Sequence, residues 1–319
     1  MIPRAAATTF ACLLAVFPAA AQSLPAFIPI NPVAASRSGV YFQPYRPPAS
    51  GKWTTSIALD YASTIEVNER EVARYTLDSE ILRLRLGLGR DIGPRAFVLA
   101  GAEVGGAYAG FLDGFLNWYH HTLGFSIPER ERGPDDRFLY QITLPDGTTR
   151  IRAPSDLFLG DLRFGVGYRF GRSLQTVVSA TLPTSTAPDG YGRGVVSLSL
   201  LNTVRVQPTR RLVLEGGLGF GYAASHGDLE GVQRETFASA SGGGRYRFWG
   251  RQSLFATVFY HSPYYRNTTL PSLDRRELSL DFGWLLATRG GAGWRIGLTE
   301  DLEPGGPAID LIFRLGRDF

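Results

Sequence analysis

The sequence predicts an all-β protein, a transmembrane antiparallel β-barrel of about twelve strands with one amphipathic helix in a long extracellular loop. Apolar residues alternate with polar or small ones along most of the chain, as in the C-terminal IDLIFRLGRDF, and a period of two is typical of strands. The polar positions are rich in glycine, which weakens a strand in water but leaves room inside a narrow barrel. Short and long connections alternate, which is typical of outer-membrane barrels.

The N-terminus has the features of a secretory signal peptide over residues 1–21. Arg4 precedes a short apolar stretch, and three alanines end at Ala21, after which we expect cleavage. The only cysteine, Cys12, lies in this stretch, so we expect no disulfide or thiolate site in the mature chain. Residues 22–51 are rich in proline and do not alternate. This segment is either a periplasmic leader or a plug that folds into the lumen.

The barrel is expected over residues 52–319. The alternation predicts strands at about 52–63, 72–91, 96–108, 157–171, 173–183, 193–207, 210–224, 234–249, 252–264, 275–288, 293–302 and 308–319. Residues 137–153 predict a short hairpin around Pro145-Asp146-Gly147. We place this hairpin outside the barrel, in the long extracellular connection 109–156, with fourteen strands as the alternative. A periplasmic β-sandwich is the alternative fold.

Charges of both signs fall on the face that the alternation turns toward the lumen. This set comprises Asp60, Arg83, Arg85, Glu103, Asp161, Arg163, Arg169, Arg205, Glu215, Arg245, Arg247, Glu277, Asp281, Arg295, Asp310 and Arg314. An unpaired charge inside a low-dielectric wall is costly, so we expect these side chains to pair. They either form a salt-bridge network that holds the barrel closed or line a solvated pore with a mild preference for anions.

Residues 111–124, FLDGFLNWYHHTLG, follow helical spacing instead. Three interpretations remain open: a helix on the barrel rim or the outer-leaflet interface, a lid over the lumen, or a ligand site. Adjacent histidines on a helix diverge by about 100°, which argues against a shared metal ion, and we expect neither a metal nor a cofactor. The candidate gate or ligand residues are Phe111, Asp113, Asn117, Trp118, His120 and His121.

The same stretch carries a family resemblance. It contains Phe-Leu-Asp at 111–113, Tyr119-His120, a step from Gly124 to Pro128, and a following arginine, Arg130 or Arg132. Together with LDSEILRLRLGLG and TEDLEPGGPAIDLIFRL, it resembles the outer-membrane family known as domain of unknown function 3187. The resemblance extends over nearly the whole mature chain. It implies an outer-membrane barrel and no particular activity.

The function we expect is a narrow or gated passive channel for small or amphipathic solutes in the bacterial outer membrane. A closed structural or interaction barrel is the alternative, and an outer-membrane lipid hydrolase is a third possibility. A hydrolase needs a serine, a histidine and an acid or amide within reach. His261-Ser262 and Ser225-His226 are adjacent pairs outside any such motif, so we expect no enzymatic activity and no catalytic residues.

The expected partners are those of an outer-membrane protein. They are outer-membrane lipid and lipopolysaccharide, and the barrel-assembly machinery, for which the terminal Phe319 is the predicted assembly signal. The net charge is +4, but the arginines are scattered, so we expect no nucleic-acid partner. The oligomeric state is left open.

Overall fold

The computed structural model describes residues 23–48, 53–124, 135–288, 293–303, 306–307, 309 and 311–319, without the side chains of His120, Leu123 and Asp228. The predicted signal peptide, the part of the family motif from residue 125 to 134, and Asp310 therefore lie outside the described residues.

Fifteen antiparallel strands form one sheet that closes on itself. The strands are β1 (Trp53–Glu69), β2 (Arg74–Asp91), β3 (Ala96–Tyr108), β4 (Leu139–Thr143), β5 (Thr149–Arg152), β6 (Ser155–Leu159), β7 (Arg163–Phe170), β8 (Leu174–Thr181), β9 (Ser197–Val206), β10 (Leu212–Ala223), β11 (Thr236–Trp249), β12 (Gln252–His261), β13 (Glu277–Ala287), β14 (Gly293–Asp301) and β15 (Leu311–Asp318). Closure is between β1 and β15, in register from Ser56↔Asp318 to Ser63↔Leu311. The fifteen strands occupy twelve positions around the barrel, so the predicted twelve-stranded barrel is confirmed.

Two of the twelve wall positions are built from several short strands in line. Strand β3 pairs with β2 up to Glu80↔Tyr108, and β4 continues the same pairing from Asp78↔Leu139. The next position consists of β5, β6 and β7, where β5 pairs with β4 while β6 and β7 pair with successive parts of β3. The hairpin of β4 and β5 thus extends the wall, and placing it outside the barrel was wrong. Strand β2 is longer than β3, and β4 covers the edge that would otherwise be unpaired.

The helices that the structure describes are few and short. They are α1 (Pro32–Ala35), α2 (Asp113–Leu123), α3 (Pro271–Asp274) and a 3₁₀ helix at Gly227–Val232. Within the described part of the chain, no helix has both the length and the apolar character needed to cross a membrane. Among the helices of the described residues, only α2 has more than two turns.

The two ends of the barrel differ. The short connections β2–β3, β7–β8, β9–β10, β11–β12 and β13–β14 share one end with the C-terminus, and we call it the turn end. The longer connections, which carry the 3₁₀ helix and α3, lie at the other end, the loop end. Strands β1 and β2 have 17 and 18 residues, more than the roughly 9–11 that cross a bilayer. They therefore project beyond the apolar band at the loop end.

The wall alternates as the sequence predicts. In β10, Leu214, Leu218 and Phe220 are exposed on the outside, while Val213 and Glu215 are buried inside. Inward glycines allow close approach: a Cβ at Gly219 would lie 2.5 Å from a methyl carbon of Val40. The small inward residues of β10 therefore make room for a chain segment inside the barrel.

That segment is residues 23–48, which we call the luminal segment. It runs up the lumen to α1 and back, with an antiparallel bridge between Phe27 and Phe42. At the turn end the Ser23 hydroxyl donates to the Tyr45 carbonyl over 2.7 Å. Its apolar side chains are buried among inward residues of the wall and loops, in one cluster around α1 and in a second around Phe27 and Phe42. The lumen is thus filled along its length.

The lumen and the loop-end cavity as candidate functional sites

A cluster of charged side chains joins the strands on either side of the barrel closure. Asp60 on β1 is fully buried and contacts Arg83 at 3.0 Å and Arg85 at 2.9 Å, both on β2. It also contacts Arg314 on β15 at 3.1 Å, and Arg314 lies 3.0 Å from Asp281 on β13. These inward-facing side chains therefore link strands on both sides of the closure.

Inward side chains also bind the backbone of the luminal segment. Arg83 donates to the carbonyls of Ile28 (2.8 Å) and Pro29 (2.5 Å), and Arg314 donates to the carbonyl of Ala26 over 3.1 Å. The segment has almost no regular secondary structure, so its buried backbone groups need such partners. The charged wall therefore serves as the hydrogen-bonding surface for this segment.

The same pattern continues toward the turn end. Arg169 donates to the Arg46 carbonyl over 2.6 Å and to Asp91 over 2.7 Å. The Glu215 carboxylate accepts from the Tyr45 backbone N–H over 2.9 Å. Burial lowers the pKa of Arg46, while the neighbouring Asp91 partly offsets this effect. The returning arm of the luminal segment is thus bound through charged groups on several strands.

At the loop end a serine–histidine pair holds the luminal segment. The Ser38 hydroxyl lies 2.5 Å from Nε2 of His261, and the His261 ring stacks on Tyr264 at 4.2 Å. Both partners are buried, and the Ser38 hydroxyl also accepts from the Val40 backbone N–H over 3.0 Å. Nε2 of His261 therefore bonds to Ser38, while Nδ1 bonds to the backbone carbonyl of Ser262 and not to its hydroxyl. The Ser38–His261 pair fastens the segment to β12.

Next to this pair lies a cavity of about 350 Å³, which we call the loop-end cavity. Arg37 of the luminal segment, Arg152 of β5 and Arg193 of the connection after β8 line it, with Asp161 and Asp189. Burial, and then the charge of Arg163, lower the pKa of Arg193 to about 10. Burial also lowers the pKa of Arg37. The cavity is therefore a partly buried site in which positive charges lie close together.

Helix α2 contacts the outward face of the wall. Glu80 accepts from the backbone N–H groups of Phe111 (2.9 Å) and Leu112, and Tyr61 packs on Phe111 with ring centroids 5.6 Å apart. Phe115 lies 6.5 Å from Phe313. Glu80, Tyr61 and Phe313 alternate with inward residues along their strands, so they face outward. The helix therefore packs against the outside of the wall near its rim. It does not lie over the lumen as a lid would.

The polar candidates on α2 do not converge. Asp113 accepts from the Asp136 backbone N–H over 2.8 Å, and Asn117 donates to Asp135 over 3.0 Å. Trp118 and His121 are exposed, and the His120 side chain lies outside the described residues. Within the described chain no group of three His, Cys, Asp or Glu side chains has the geometry of a metal site.

The remaining charges predicted to face the lumen are distributed around the wall. Arg163 lies over the ring of Tyr41 at 4.1 Å, and Arg205 lies 3.7 Å from Glu215. At the turn end Arg295 contacts Asp318 at 3.2 Å. Glu103, Arg245 and Arg247 are half-buried, Asp161 lines the loop-end cavity, and Glu277 accepts from the Tyr264 hydroxyl over 2.5 Å. Most of these groups therefore have protein partners and do not line an open passage.

The terminal residue lies at the turn end. The Phe319 backbone N–H donates to the Thr55 carbonyl over 2.9 Å, and its side chain is 54% exposed. The Arg317 guanidinium lies 4.5 Å from its ring. The ring is thus accessible from outside the barrel.

Sequence reasoning missed the polar residues of the luminal segment. Arg37, Ser38 and Arg46 contact wall and loop residues far away in the sequence. The only local signal is that charged and hydroxyl groups interrupt an apolar, proline-rich stretch.

Among solved structures, the chain is similar to an outer membrane channel from Pseudomonas putida F1. The TM-score is 0.55, with 13% sequence identity over 86% of this chain and 98% of that one. Weaker similarities are to the Pseudomonas putida toluene transporter TodX (TM-score 0.42, 12% identity, 85% and 89% covered) and to the translocator domain of the autotransporter NalP from Neisseria meningitidis (0.44, 12%, 85% and 89%). The first similarity shows the fold of an outer-membrane β-barrel.

No curated protein matches the sequence. The family model described as "Protein of unknown function (DUF3187)" matches residues 44–319, which include the whole barrel. This match confirms the resemblance carried by the stretch around α2, and the chain belongs to the DUF3187 family of proteins of unknown function.

Proposed function

We propose that the protein is a passive channel of the bacterial outer membrane for small solutes, closed by the luminal segment and opened when that segment moves. Short turns lie on the periplasmic side of outer-membrane barrels. In that orientation the luminal segment enters from the periplasm, and α1 reaches the extracellular loops. The loop-end cavity then lies on the extracellular side.

One observation carries this proposal: the luminal segment contributes no strand to the wall. The barrel closes through β1 and β15 without it, and the only bridge in the segment joins its own residues Phe27 and Phe42. Wall contacts such as those of Arg83 and Glu215 are made by side chains. The segment can therefore move without breaking a strand pair, and its movement would uncover a polar, arginine-rich path.

The test is to lock the segment to the wall with a disulfide. A Cβ at Gly39 would lie 3.3 Å from the Cβ of Ser197 on β9, so a shift of a few tenths of an ångström brings the pair into the range of about 3.5–4.5 Å found in disulfides. Protein beginning at Gln22 has no cysteine of its own, so the double variant Gly39→Cys/Ser197→Cys contains one designed pair. Its single-channel conductance is measured in planar bilayers before and after reduction.

We expect the oxidised double variant to be silent and the reduced form to open as the wild type does. The two single-cysteine variants are the controls, since neither can form the bond. A variant lacking residues 23–48 is expected to conduct continuously. Equal conductance before and after reduction would show that the segment is not the gate.

The main alternative is a closed structural or interaction barrel. It predicts that the wild type and the variant lacking residues 23–48 are both silent although both are folded. A third variant, without residues 111–124, tests whether helix α2 acts as a lid in addition to the luminal segment. Because α2 contacts the outer wall through Glu80 and Tyr61, we expect its removal to leave the conductance unchanged.

A further inference from the structure

The loop-end cavity is built by parts of the chain that are distant in sequence. The luminal segment contributes Ser36 and Arg37, and the wall contributes Tyr140 and Arg152. The long connections contribute the rest, including Arg193. Its volume of about 350 Å³ lies within the range of small-molecule sites, which is about 300–1,000 Å³. A solute arriving from outside meets this cavity before it reaches the lumen.

Two of the arginines that line the cavity, Arg37 and Arg193, are incompletely neutralised. Arg37 is 2% exposed, and its hydrogen bonds go to the carbonyls of Ala223, Ala224 and Arg234, which carry no net charge. Its Nε has no hydrogen-bond partner in the described part of the protein. A buried cation that is not paired with an anion is costly. An anion reaching Arg37 from the cavity would reduce that cost.

Arg193 is in a similar position. Its closest carboxylate, Asp161, lies 3.8 Å away and already accepts from the backbone N–H groups of Ser185 (2.9 Å) and Arg193 itself (3.2 Å). The Nε of Arg193 has no hydrogen-bond partner among the residues that the structure describes. After the larger effect of burial, the positive charges of Arg163 and Arg37 lower its pKa, and Asp161 and Glu103 offset this only in part. Asp161 therefore neutralises Arg193 only in part, and a bound anion would compensate the remaining positive charge.

The rest of the lining decides the class of ligand. Among the described residues, three arginines and two aspartates line the cavity. This leaves one positive charge in excess and matches a monoanion better than a polyanion. Tyr140, Tyr265 and Leu229 also line it and offer apolar contact to the body of a ligand. The planar guanidinium group binds a carboxylate through two parallel hydrogen bonds.

We propose that the loop-end cavity binds a small amphipathic monocarboxylate, with its carboxylate between the arginines and its apolar body against the tyrosines. The inference deepens the proposed function and rests on it for its biological meaning, because binding would capture the solute at the extracellular mouth. The binding itself does not require an open lumen. A failure of the channel proposal therefore leaves the binding test valid.

The test uses benzoate as the probe, with calorimetric titration of the refolded protein in detergent micelles. Benzamide, which has nearly the same shape and no charge, and inorganic phosphate are the comparison ligands. We expect benzoate to bind more tightly than either. Arg193→Gln and Arg152→Gln are each expected to weaken benzoate binding at least about tenfold, the usual worth of a charge-assisted hydrogen bond.

The matched control is Arg150→Gln. Arg150 lies on β5, two residues from Arg152, but does not line the cavity. The variant removes the same charge from the same strand and is expected to bind benzoate as the wild type does. Because Arg152 is on the wall at the loop end, its replacement is also less disruptive than a change in the luminal segment.

Three results would overturn the proposal. They are no benzoate binding by folded wild-type protein, equal binding of benzoate and benzamide, or wild-type affinity in both Arg193→Gln and Arg152→Gln. Binding of phosphate without benzoate would replace the amphipathic carboxylate by an inorganic anion and would also contradict it.

Discussion

Replacing Asp60 by asparagine tests whether the charged cluster holds the barrel closed. Asp60→Asn keeps the shape of the side chain but removes the charge that faces Arg83, Arg85 and Arg314 at 3.0, 2.9 and 3.1 Å. Breaking a buried ion pair by removing one partner costs about 3–5 kcal/mol, because the other charge stays buried. The variant therefore leaves cations facing each other across the closure.

The structure favours the lower part of that range. Arg314 keeps its contact with Asp281 at 3.0 Å, and Arg83 keeps its bonds to the luminal segment. Arg85 has no other hydrogen-bond partner in the described part of the chain. Arg85 thus loses the negative charge of its only hydrogen-bond partner there, and Arg83 and Arg314 lose one of several partners' charges or contacts. This gives about 3 kcal/mol, or a factor of roughly one hundred in the folded-to-unfolded ratio.

The assay is urea unfolding of the protein in phospholipid vesicles, followed by tryptophan fluorescence. Glu69→Gln is the control, because the Glu69–Arg74 pair on β1 and β2 is 2.9 Å long but has side chains that are 59% and 48% exposed. An exposed pair contributes at most about 1 kcal/mol. If Asp60→Asn lowers the free energy of unfolding by no more than Glu69→Gln does, the cluster does not stabilise the closure.

Three further predictions concern the lumen, the helix and the terminus. Gly219→Ala should loosen the luminal segment, because the added Cβ would lie 2.5 Å from a methyl carbon of that segment. Hydrogen exchange of the segment should then be faster. The control Gly242→Ala, whose Cβ would have nothing within 4 Å, should leave the exchange rate unchanged. The Trp118 side chain on α2 is 62% exposed. A nitroxide label on Trp118→Cys should be more accessible to lipid-soluble oxygen than a label on Asp146→Cys in the β4–β5 turn. Equal accessibility would place α2 outside the lipid. Deleting Phe319 should slow assembly of the barrel in cells. The stability of the refolded barrel should change little, since the Phe319 ring is 54% exposed. A loss of stability in the refolded protein would show that Phe319 acts through the fold and not as an assembly signal.

Alternation was enough to predict the twelve wall positions and the inward direction of Asp60 and Arg314. Their contact depends on the register of β1 against β15, Asp60↔Arg314, and a period of two fixes the face but not the register. The hairpin of β4 and β5 was misplaced because its strands, of 5 and 4 residues, are too short to span a membrane and so predicted a hairpin within a loop. They acquire their place only through pairing with the long β2.

The luminal contacts were beyond sequence reasoning for a different reason. Ser38 and His261 are 223 residues apart, and no local pattern specifies a contact at that separation. The loop-end cavity likewise requires the irregular connections to fold over α1. Regular strands are predictable from local alternation, whereas irregular segments are positioned by the partners that their backbone groups find.

The interrupted third wall position has an evolutionary consequence. The chain leaves the sheet after Tyr108, opposite Glu80, and returns at Leu139, opposite Asp78. Its exit and return points lie two residues apart along β2, about 7 Å. A segment between such close points can lengthen, shorten or change its surface without altering the strand number or stagger of the barrel. The surface presented at the loop end can therefore change here while the wall stays the same.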